Sequence, residues 1–500
     1  MVVASTLTTI MAAAALQPNF VFVHVDDWGY YNVGFRGNPF AKTPTLDALA
    51  EGGVILDRYY TYKYCSPTRR SFLSGRFPPH SGEDNSAAST IDYRMATIAD
   101  KLSAVGYATH QVGKWHAGHF SVLQTPAQRG FDTSLGYFNG AEDHWLQIDA
   151  EDGCGNVTDF WDTDAPAFDL NGTLYGDEHF AERAVEVVRG DTPFFLYLAL
   201  QCAHEPMEAP ERFVEIHEDS PAPYEYAMVS VVDQVVENLT VALEDSWNAT
   251  LMVVASDNGG PAFSDQMLAS NYPLRAGKYS VFEGGIRVNA FVTGGFLPPA
   301  MRGTRLRDPI HVCDWYATFV SLAGGSPADD APGVPPIDSI DQWPLISANQ
   351  STAADSREIF LATGVLLVGD WKLIATSVGK QGSNPEGKWS GPLYPAVPAV
   401  GPDTVNCSAS YPCLYNVVAD PRERTNMAPY RPDILADMLP RLWALYPTVF
   451  EGQPPTNLTK ADVCAASAKM GGYLTPADYV APFAFSFKEE EEEEVVVVDY

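Results

Sequence analysis

Two kinds of hydrophobic pattern alternate along the chain. Short, mainly apolar runs rich in Val, Leu and Phe are typical of buried strands. Longer stretches with apolar residues every three to four positions are typical of helices, and several end at glycine, as helix C-termini often do. The predicted strands are 19–25, 108–114, 193–200, 251–257 and 288–294, and the predicted helices are 45–53, 96–106, 226–245 and 312–325. The alternation predicts an α/β fold with a mainly parallel or mixed sheet.

The pattern changes near residue 340. The stretch 324–339 is rich in Pro, Gly and Asp, which is typical of a domain boundary. Short strand-like runs follow it, and then an amphipathic stretch at 431–446. We therefore predict a large α/β domain over 18–340 and a smaller α+β domain with an antiparallel sheet over 341–480.

The two ends of the chain differ from the rest. Residues 2–16 are uncharged, mostly apolar and rich in small side chains, which predicts a signal peptide over 1–17 with cleavage near Ala13–Ala15. The alternative is a frayed N-terminus. The acidic run Glu489–Glu494 predicts a disordered tail over 481–500. No other stretch is long and apolar enough to span a membrane.

Composition excludes some classes of partner. The chain has 500 residues, of which 46% are hydrophobic and 19% charged, as in ordinary globular proteins. Its net charge of -32 argues against nucleic acid and anionic membranes as main partners. A binding site for an anion must therefore be a local cluster of Lys, Arg and His.

Glycosylation sequons and cysteines indicate the secretory route, ending outside the cell or in lysosomes. Asn-x-Ser/Thr sequons begin at Asn156, Asn171, Asn238, Asn248, Asn349, Asn406 and Asn457. The chain has 7 cysteines, so at least one lacks a partner in an oxidising compartment. Cys407 and Cys413 are candidates for a disulfide. Cys202 and Cys313 lie in apolar stretches and are predicted to be core thiols.

Polar side chains follow four of the predicted strands. Ligands of open α/β sheets bind at the carboxyl ends of strands, so these side chains are expected to meet at one edge. They are Asp26, Asp27, Lys114, His116, His204, Asp257 and Asn258. The three carboxylates and the amide suit Ca²⁺ or Mg²⁺ better than Zn²⁺. The alternative is two unrelated sets of helix caps or Asx-turns.

Zinc is a weaker interpretation of the same region. Cys65, His116, His119 and His204 are suitable zinc ligands, but no CxxC or HxxxH spacing frames them.

A group of cations or potential cations forms a second candidate cluster. Its members are Arg69, Lys114, His116, His204 and Lys278. In an acidic chain such a group favours a compact tetrahedral anion and stabilises charge that develops on it. Taken one at a time, each of these Lys or Arg residues is more often an ordinary surface charge, and each histidine is more often an ordinary core or surface group.

Several segments together resemble the sulfatase family, and most of all the arylsulfatase B (N-acetylgalactosamine-4-sulfatase) group. CSPTRRSFLSGR (65–76) is similar to the sulfatase signature, whose cysteine is converted to formylglycine. Further similar segments are VDDWGYYNVGF, GYATHQVGKWHAGH, FFLYLALQCAHEPMEAP, SDNGG, PLRAGKYSVFEGGIR and CLYNVVADPRERTNM. The resemblance runs from about residue 18 into the C-terminal domain and implies an alkaline-phosphatase-like fold.

The resemblance also implies roles for individual residues. Asp26, Asp27, Asp257 and Asn258 match the ligands of one Ca²⁺ ion, which the modified Cys65 also meets. Arg69 and Lys114 match residues that hold the formylglycine and its charge, and His116 matches the base that helps regenerate the aldehyde. His204 and Lys278 match the groups that contact the sulfate and its leaving oxygen.

One departure affects the expected disulfides. The stretch 81–96 lacks the cysteines that are usual in the arylsulfatase B group. Cys154 and Cys464 have therefore either lost their usual partners or paired with each other.

The expected activity is hydrolysis of sulfate esters, with a sulfated sugar or polysaccharide as the substrate and a formylglycine-generating enzyme as the maturation partner. Two alternatives remain. One is a phosphate or phosphonate monoester hydrolase on the same scaffold. The other is a catalytically silent carbohydrate-binding glycoprotein, in which residue 65 would remain cysteine.

Overall fold

The structure is a computed structural model. It describes residues 17–86, 88–149, 153–190, 192–262, 269–350, 357–377, 407–452 and 457–480. Residues 1–16 of the predicted signal peptide and the predicted tail 481–500 lie outside these ranges, as does Asn406. Within the described residues, no helix is both long enough and apolar enough to cross a bilayer.

Strands and helices alternate through most of the chain. The strands are β1 (Asn19–Val25), β2 (Val54–Leu56), β3 (Tyr59–Tyr60), β4 (Ala108–Gly113), β5 (Thr133–Gly136), β6 (Ile148–Asp149), β7 (Val157–Thr158), β8 (Trp161–Asp162), β9 (Ala165–Pro166), β10 (Phe194–Ala199), β11 (Thr250–Ser256), β12 (Arg287–Val288), β13 (Ala290–Thr293), β14 (Thr304–Leu306), β15 (Ile310–His311), β16 (Glu358–Ala362), β17 (Val365–Val368), β18 (Trp371–Ile374) and β19 (Cys413–Asn416). The α-helices are α1 (Pro44–Gly52), α2 (Cys65–Ser74), α3 (Pro78–Ser81), α4 (Ile98–Ser103), α5 (Gly176–Val188), α6 (Glu211–Val214), α7 (Pro223–Ala242), α8 (Glu283–Ile286), α9 (Asp314–Leu322), α10 (Trp343–Ala348), α11 (Pro432–Leu445) and α12 (Lys460–Lys469).

The large sheet is mixed. Its strand order is β14-β2-β13-β11-β1-β10-β4-β5-β8-β9. The central strands β11, β1, β10, β4 and β5 run parallel, whereas β13 is antiparallel to both of its neighbours. The carboxyl ends of the central strands therefore lie along one edge of the sheet.

Both faces of the large sheet are covered by helices. All seven residues of β1 are buried, which explains why its sequence is almost continuously apolar. Phe20 and Phe22 face a core shared with α2, α4 and α9, while the alternate residues Val21 and Val23 face a core shared with α1, α5 and α7.

A smaller antiparallel sheet follows. Its order is β16-β17-β18-β19, so each strand pairs with its neighbour in sequence. Met438 and Leu442 of α11 share a core with its apolar residues. These sheets confirm the predicted α/β fold with a smaller α+β part.

The last described segment, 457–480, returns to the large sheet. Val463 of α12 and Leu474 are fully buried in the same core as Trp161 of β8. The indole nitrogen of Trp161 donates a hydrogen bond to the carbonyl oxygen of Leu474 over 2.6 Å. The C-terminal segment thus packs against the β8 side of the large sheet. The domain boundaries at 340 and 480 stay predictions.

The cysteines divide into two disulfides and three free thiols. Cys407 bonds Cys413, as predicted, and Cys154 bonds Cys464 across a sequence separation of 310 residues. The sequence left open whether Cys154 and Cys464 had lost their partners or paired with each other, and the structure shows that they pair. The free thiols of Cys65, Cys202 and Cys313 are all buried, and the prediction of core thiols at 202 and 313 is confirmed.

Candidate active site

Two neighbouring strands place the acidic residues side by side. Strands β1 and β11 pair in parallel with Val25 opposite Ser256. Asp26 and Asp257, the residues that follow, are both fully buried. The backbone of Asp26 also exchanges hydrogen bonds with the chain beyond β10, because its N–H donates to the Cys202 carbonyl over 3.0 Å. The edge of the sheet thereby fixes this carboxylate in place.

Asp27 turns its side chain toward the same point. Its φ of 50° lies in the left-handed region, which is unusual for a residue with a side chain. Its backbone N–H donates to Asp257 Oδ1 over 3.3 Å. Its carboxylate accepts hydrogen bonds from Asn258 Nδ2 at 2.6 Å and from Lys278 Nζ at 2.7 Å. Strain at this position is typical of a functional site.

Three cations neutralise the carboxylates. Arg69 of α2 donates from Nη2 to Asp26 Oδ2 at 3.1 Å and to Asp257 Oδ2 at 2.8 Å. Lys114, the first residue after β4, forms an ion pair with Asp26. These two cations have no side-chain exposure, so both are held wholly within the protein, and Lys278 pairs with Asp27.

The three carboxyl groups do not share one electrostatic environment. Burial alone would raise the pKa of Asp26, but the charges of Lys114, His204 and Arg69 outweigh it and hold that pKa below its usual value. Burial raises the pKa of Asp27, and burial together with the charge of Asp26 raises that of Asp257 to about 6. Two of the three carboxyl groups therefore retain their negative charge less readily than exposed aspartates do.

Cys65 lies directly beside this cluster. It is the first residue of α2, and its Sγ is 3.6 Å from Asp26 Oδ1. Pro67 is the third residue of α2, within the first turn of the helix, where proline is tolerated. Burial and the negative charge of Asp26 raise the pKa of the thiol. The unmodified thiol is thus protonated at neutral pH and is a poor nucleophile.

The donor set fits a hard divalent cation. Asn258 Oδ1 is buried and accepts no hydrogen bond from any described residue, an uncommon state for an amide oxygen. It is adjacent to Asp27, since the same side chain donates to that carboxylate. Asp26, Asp27, Cys65 and His204 each contribute an atom to a group that lies within 4.8 Å. With Asp257 and Asn258, which both contact Asp27, oxygen donors are in the majority, as Ca²⁺ prefers.

The zinc interpretation gains little support from this geometry. Of its four candidate ligands, Cys65 and His204 belong to the group within 4.8 Å, whereas His116 and His119 are outside it among the described residues. Carboxylate oxygens of Asp26 and Asp27 supply the other two donors, and the carboxylate of Asp257 lies beside Asp27, which favours a cation that prefers oxygen.

Two histidines lie next to the acidic cluster. His204 Nε2 is 3.7 Å from Asp27 Oδ2, and its Nδ1 lies 2.8 Å from the Glu205 carbonyl oxygen. His116 has a φ of 48°, and its backbone N–H donates to the Phe138 carbonyl. Burial, followed by the charge of Lys278 for His204 and of Lys114 for His116, lowers the pKa of both.

A cluster of three buried polar side chains contacts the backbone of His204. His144, Asp177 and Cys202 are buried, and each offers a polar atom within 4.8 Å of the others. His144 Nε2 lies 3.1 Å from the backbone carbonyl oxygen of His204. This group therefore fixes the backbone position of His204.

The cluster opens into a cavity of about 500 Å³. Four predicted site residues line it: Cys65, His116, His204 and Lys278. The volume exceeds that of a sulfate group and falls within the range of small-molecule sites. The site therefore combines a cluster of buried carboxylates, a cysteine and an accessible cavity.

The comparison with protein families decides the family. The sequence profile described as Sulfatase matches residues 18–326, which is more than half of the chain. The chain belongs to the sulfatase family. The sulfatase is accordingly a sulfuric ester hydrolase, as its sequence predicted.

Relatives of this sulfatase include named enzymes. Arylsulfatase J of Mus musculus is 31% identical over 475 residues, which cover 86% of this chain and 76% of the relative. N-acetylgalactosamine-6-sulfatase of Mus musculus is 27% identical over 527 residues, which cover 97% and 98% of the two chains. These relatives do not single out the arylsulfatase B group, so that finer assignment stays a prediction.

Solved structures share the fold of the sulfatase. The crystal structure of Ps i-CgsB in complex with k-i-k-neocarrahexaose matches with a TM-score of 0.71 at 24% identity and covers 91% of this chain and 97% of the other. The phosphonate monoester hydrolase of Agrobacterium radiobacter matches with a TM-score of 0.57 at 16% identity and covers 87% and 96%. Both confirm the alkaline-phosphatase-like architecture.

The structure brings to one place all the residues to which the family resemblance assigns a role, whereas the zinc candidate His119 is not among them. The roles assigned to these residues stay predictions. They are Asp26, Asp27, Cys65, Arg69, Lys114, His116, His204, Asp257, Asn258 and Lys278.

Sequence reasoning missed other residues that line the cavity. They include Asn85, Asn139, Glu205, Tyr279 and Lys460. Glu205 and Tyr279 each follow a predicted residue directly, so their positions in sequence could have revealed them. No local pattern marks Lys460, which comes from the last helix.

Proposed function

We propose that this sulfatase removes sulfate from a sulfated sugar or polysaccharide, using a formylglycine made from Cys65 and one bound Ca²⁺ ion. The observation that carries the proposal is the position of Cys65 beside Asp26, at the base of a cavity of about 500 Å³. The relative named N-acetylgalactosamine-6-sulfatase supports a sugar as the carrier of the sulfate.

Asp26, Asp27, Asp257 and Asn258 are the residues we assign to Ca²⁺. The unpartnered oxygen of Asn258 supports this assignment, because a cation would complete its contacts. A bound cation also offsets the cost of burying three carboxylates in one place. When bound, the ion supplies positive charge that lowers the electron density on the sulfate ester.

Cys65 is the residue we assign to formylglycine, with a formylglycine-generating enzyme as maturation partner. The raised pKa of the thiol argues against unmodified cysteine as the nucleophile, because the protonated thiol is a weak nucleophile. When present, a hydrated aldehyde supplies two hydroxyls on one carbon, so that sulfate can be released after the alcohol has left.

The remaining residues of the site bind and transfer protons. Arg69 and Lys114 approach residue 65 from the side of Asp26 and hold negative charge that develops there. Lys278 lines the cavity and binds the sulfate. His116 acts as the base toward residue 65, for which its lowered pKa keeps the ring neutral.

His204 is the proposed proton donor to the leaving alcohol. Burial and the charges of Lys278 and Lys114 lower its pKa. A sulfate ester that binds beside those lysines brings negative charge next to the ring, which raises the pKa of a histidine. Substrate binding therefore favours the protonated form that can donate.

The experiment determines the chemical state of residue 65 and tests whether hydrolysis of a sulfate ester depends on it. Mass spectrometry of the peptide that contains Cys65 should show the mass of an aldehyde in place of a thiol. Cys65→Ala should abolish hydrolysis of an aryl sulfate, while Cys313→Ala, at a buried free thiol outside the cavity, should retain it. An unconverted thiol in active enzyme, or full activity of Cys65→Ala, would contradict the proposal.

A phosphate or phosphonate monoester hydrolase is the second candidate. The shared fold with a phosphonate monoester hydrolase favours it, and phosphate and sulfate esters have tetrahedral anionic groups of similar size. Turnover of matched aryl sulfate, aryl phosphate and aryl phosphonate separates the candidates. A kcat/KM that is highest on the phosphorus esters would favour this second function.

We further propose that the chain follows the secretory route, to the extracellular space or to lysosomes. The two disulfides support this, because such bonds persist in oxidising compartments. Several sequon asparagines are also exposed, as glycosylation requires: Asn156, Asn238, Asn248, Asn349 and Asn457. Treatment of the secreted protein with an endoglycosidase should lower its mass.

A further inference from the structure

Lys460 lines the same cavity as Cys65, although it comes from the last described helix. It is the first residue of α12, and its side chain is exposed to solvent. Its ammonium group lies over the Gly153 turn, so close that a side chain on Gly153 would approach Nζ to 3.1 Å. The cavity therefore has a cation at a second place, apart from those at its base.

The position of Lys460 is fixed by its helix. Thr459 caps α12, with its backbone N–H donating to Asp462 Oδ2 over 2.8 Å. Val463 anchors the helix in the core of the large sheet. Cys464 lies one turn beyond Lys460 on the same face and is bonded to Cys154, next to Gly153. The lysine is thus attached to the rim of the cavity by a cap, a core contact and a disulfide.

The charge of Lys460 is not paired with any carboxylate in the part of the chain that the structure describes. Among the described residues, no carboxylate lies within 4.0 Å of its ammonium group, although the chain carries 63 acidic residues. Glu205 is the one carboxylate among the described residues that line the cavity. A cation at the rim of a substrate chamber that pairs with no described carboxylate is suited to bind an anion from outside the protein.

We propose that Lys460 forms a second anion subsite, which binds an acidic group on the sugar next to the one that carries the scissile sulfate. This inference rests on the proposed function. The acidic group is a carboxylate or a second sulfate, since both present the same charged oxygens to an ammonium group. The preferred substrate is therefore an acidic saccharide with at least two negative groups.

Three matched substrates test the subsite. They are sulfated disaccharides that differ only in the neighbouring sugar, which is neutral, carries a carboxylate or carries a sulfate. The wild-type enzyme should show a kcat/KM about fivefold higher on an acidic disaccharide than on the neutral one, as expected for a partly exposed ion pair. Lys460→Gln should remove this preference, mainly by raising KM, and Lys460→Glu should reverse it.

Lys469→Gln is the matched control. Lys469 is exposed at the other end of α12, so its loss removes the same charge from the same helix without touching the cavity. It should keep the preference for acidic disaccharides. If Lys469→Gln loses the preference as fully as Lys460→Gln does, the overall electrostatic field of the protein causes the preference, and the proposal is wrong.

The outcomes separate the subsite from the proposed function. Loss of preference for one acidic disaccharide or for both supports the subsite and identifies its ligand. A wild-type enzyme that hydrolyses an aryl sulfate but turns over all three disaccharides equally overturns the subsite alone. Failure to hydrolyse any sulfate ester by protein with a converted residue 65 overturns the proposed function.

Discussion

At the residue scale, the site depends on charges that have no contact with water. Arg69 donates to both Asp26 and Asp257, and none of the three side chains is exposed. Buried ion pairs contribute little net stability, but removal of one partner is costly because the other charge is left uncompensated. Substitutions here therefore affect the fold as well as the chemistry.

Asp257→Ala should lose both calcium and stability. It removes a proposed ligand and leaves Arg69 without two of its hydrogen bonds, which should lower the free energy of unfolding by about 3–5 kcal/mol. Elemental analysis should show less than one calcium per chain, and added calcium should no longer raise the melting temperature. Asp370→Ala breaks an ion pair with Arg58 in which Asp370 is 49% exposed, and should cost at most about 1 kcal/mol. Full calcium content in Asp257→Ala would contradict the metal assignment.

His204→Ala should slow hydrolysis in a way that depends on the leaving group. A sugar alcohol needs a proton as it leaves, whereas a phenol with a low pKa needs less help. General acid catalysis contributes about 10²–10⁴-fold, so kcat on a sulfated sugar should fall by this order and on an aryl sulfate by much less. His110→Ala, in β4 and outside the cavity, should affect neither. Equal losses of kcat on both substrates would exclude the proton-donor role.

At the element scale, register in the sheet explains most of the site. The parallel pairing of β1 with β11 and β10 brings residues from three distant parts of the chain to one edge. A sequence reveals this because apolar runs predict strands, and the polar residues that follow them predict the edge. Helix α12 also contributes to the site, because its residue Lys460 lines the cavity. The disulfide between Cys154 and Cys464 holds this helix in place.

The long-range disulfide should stabilise the protein more than the local one. Closing a longer loop removes more conformational entropy from the unfolded chain. Cys154 and Cys464 are separated by 310 residues, and Cys407 and Cys413 by 6. Replacing the first pair with serine should lower the free energy of unfolding in urea by about 2–4 kcal/mol, with a smaller effect for the second pair. A larger loss from the local pair would contradict this ranking.

Features that depend on the local sequence could be predicted, whereas features that depend on contacts between distant segments could not. Asp26 and Asp257 were predictable, since each follows its own apolar strand. The place of Lys460 was not, because it depends on how α12 packs after the small sheet and on the pairing of Cys154 with Cys464. The sequence contains both cysteines but left open whether they pair with each other, because tertiary contacts decide which cysteines meet.

At the scale of the whole molecule, charge is distributed very unevenly. The chain has 63 acidic residues and 31 Lys and Arg, yet Arg69, Lys114 and Lys278 converge on one buried point. The rest of the surface repels anions at long range, so binding of an anionic substrate depends on the local field of the cavity. The same excess of acidic groups makes the folded state sensitive to pH.

Glu225 should make the protein less stable as pH rises. It is 2% exposed in α7 and accepts a hydrogen bond from Asn32, and burial followed by the charge of Asp27 raises its pKa to about 8. Because the folded-state pKa exceeds the unfolded one, its contribution is complete below about pH 4.5 and is lost as pH rises to about 8, by up to about 1.4 kcal/mol per pH unit.

The measurement is urea unfolding of wild type and Glu225→Gln between pH 5 and 9, expressed as the difference in unfolding free energy. The stability of the variant relative to the wild type should increase from pH 5 to about pH 8 and then level off. Glu237→Gln, on the exposed face of the same helix, should follow the wild type at every pH. A pH-independent difference for Glu225→Gln would show that the carboxyl group is charged throughout.

The bond between Cys154 and Cys464 also has a consequence for proteolysis. A protease that cuts the backbone once between these cysteines leaves two fragments that stay covalently attached, so the cleaved enzyme keeps its mass on a non-reducing gel. Reducing agent separates the fragments, and the C-terminal fragment takes α12 with it. Processing of the chain in a protease-rich compartment is therefore compatible with an intact cavity rim for as long as this one bond survives.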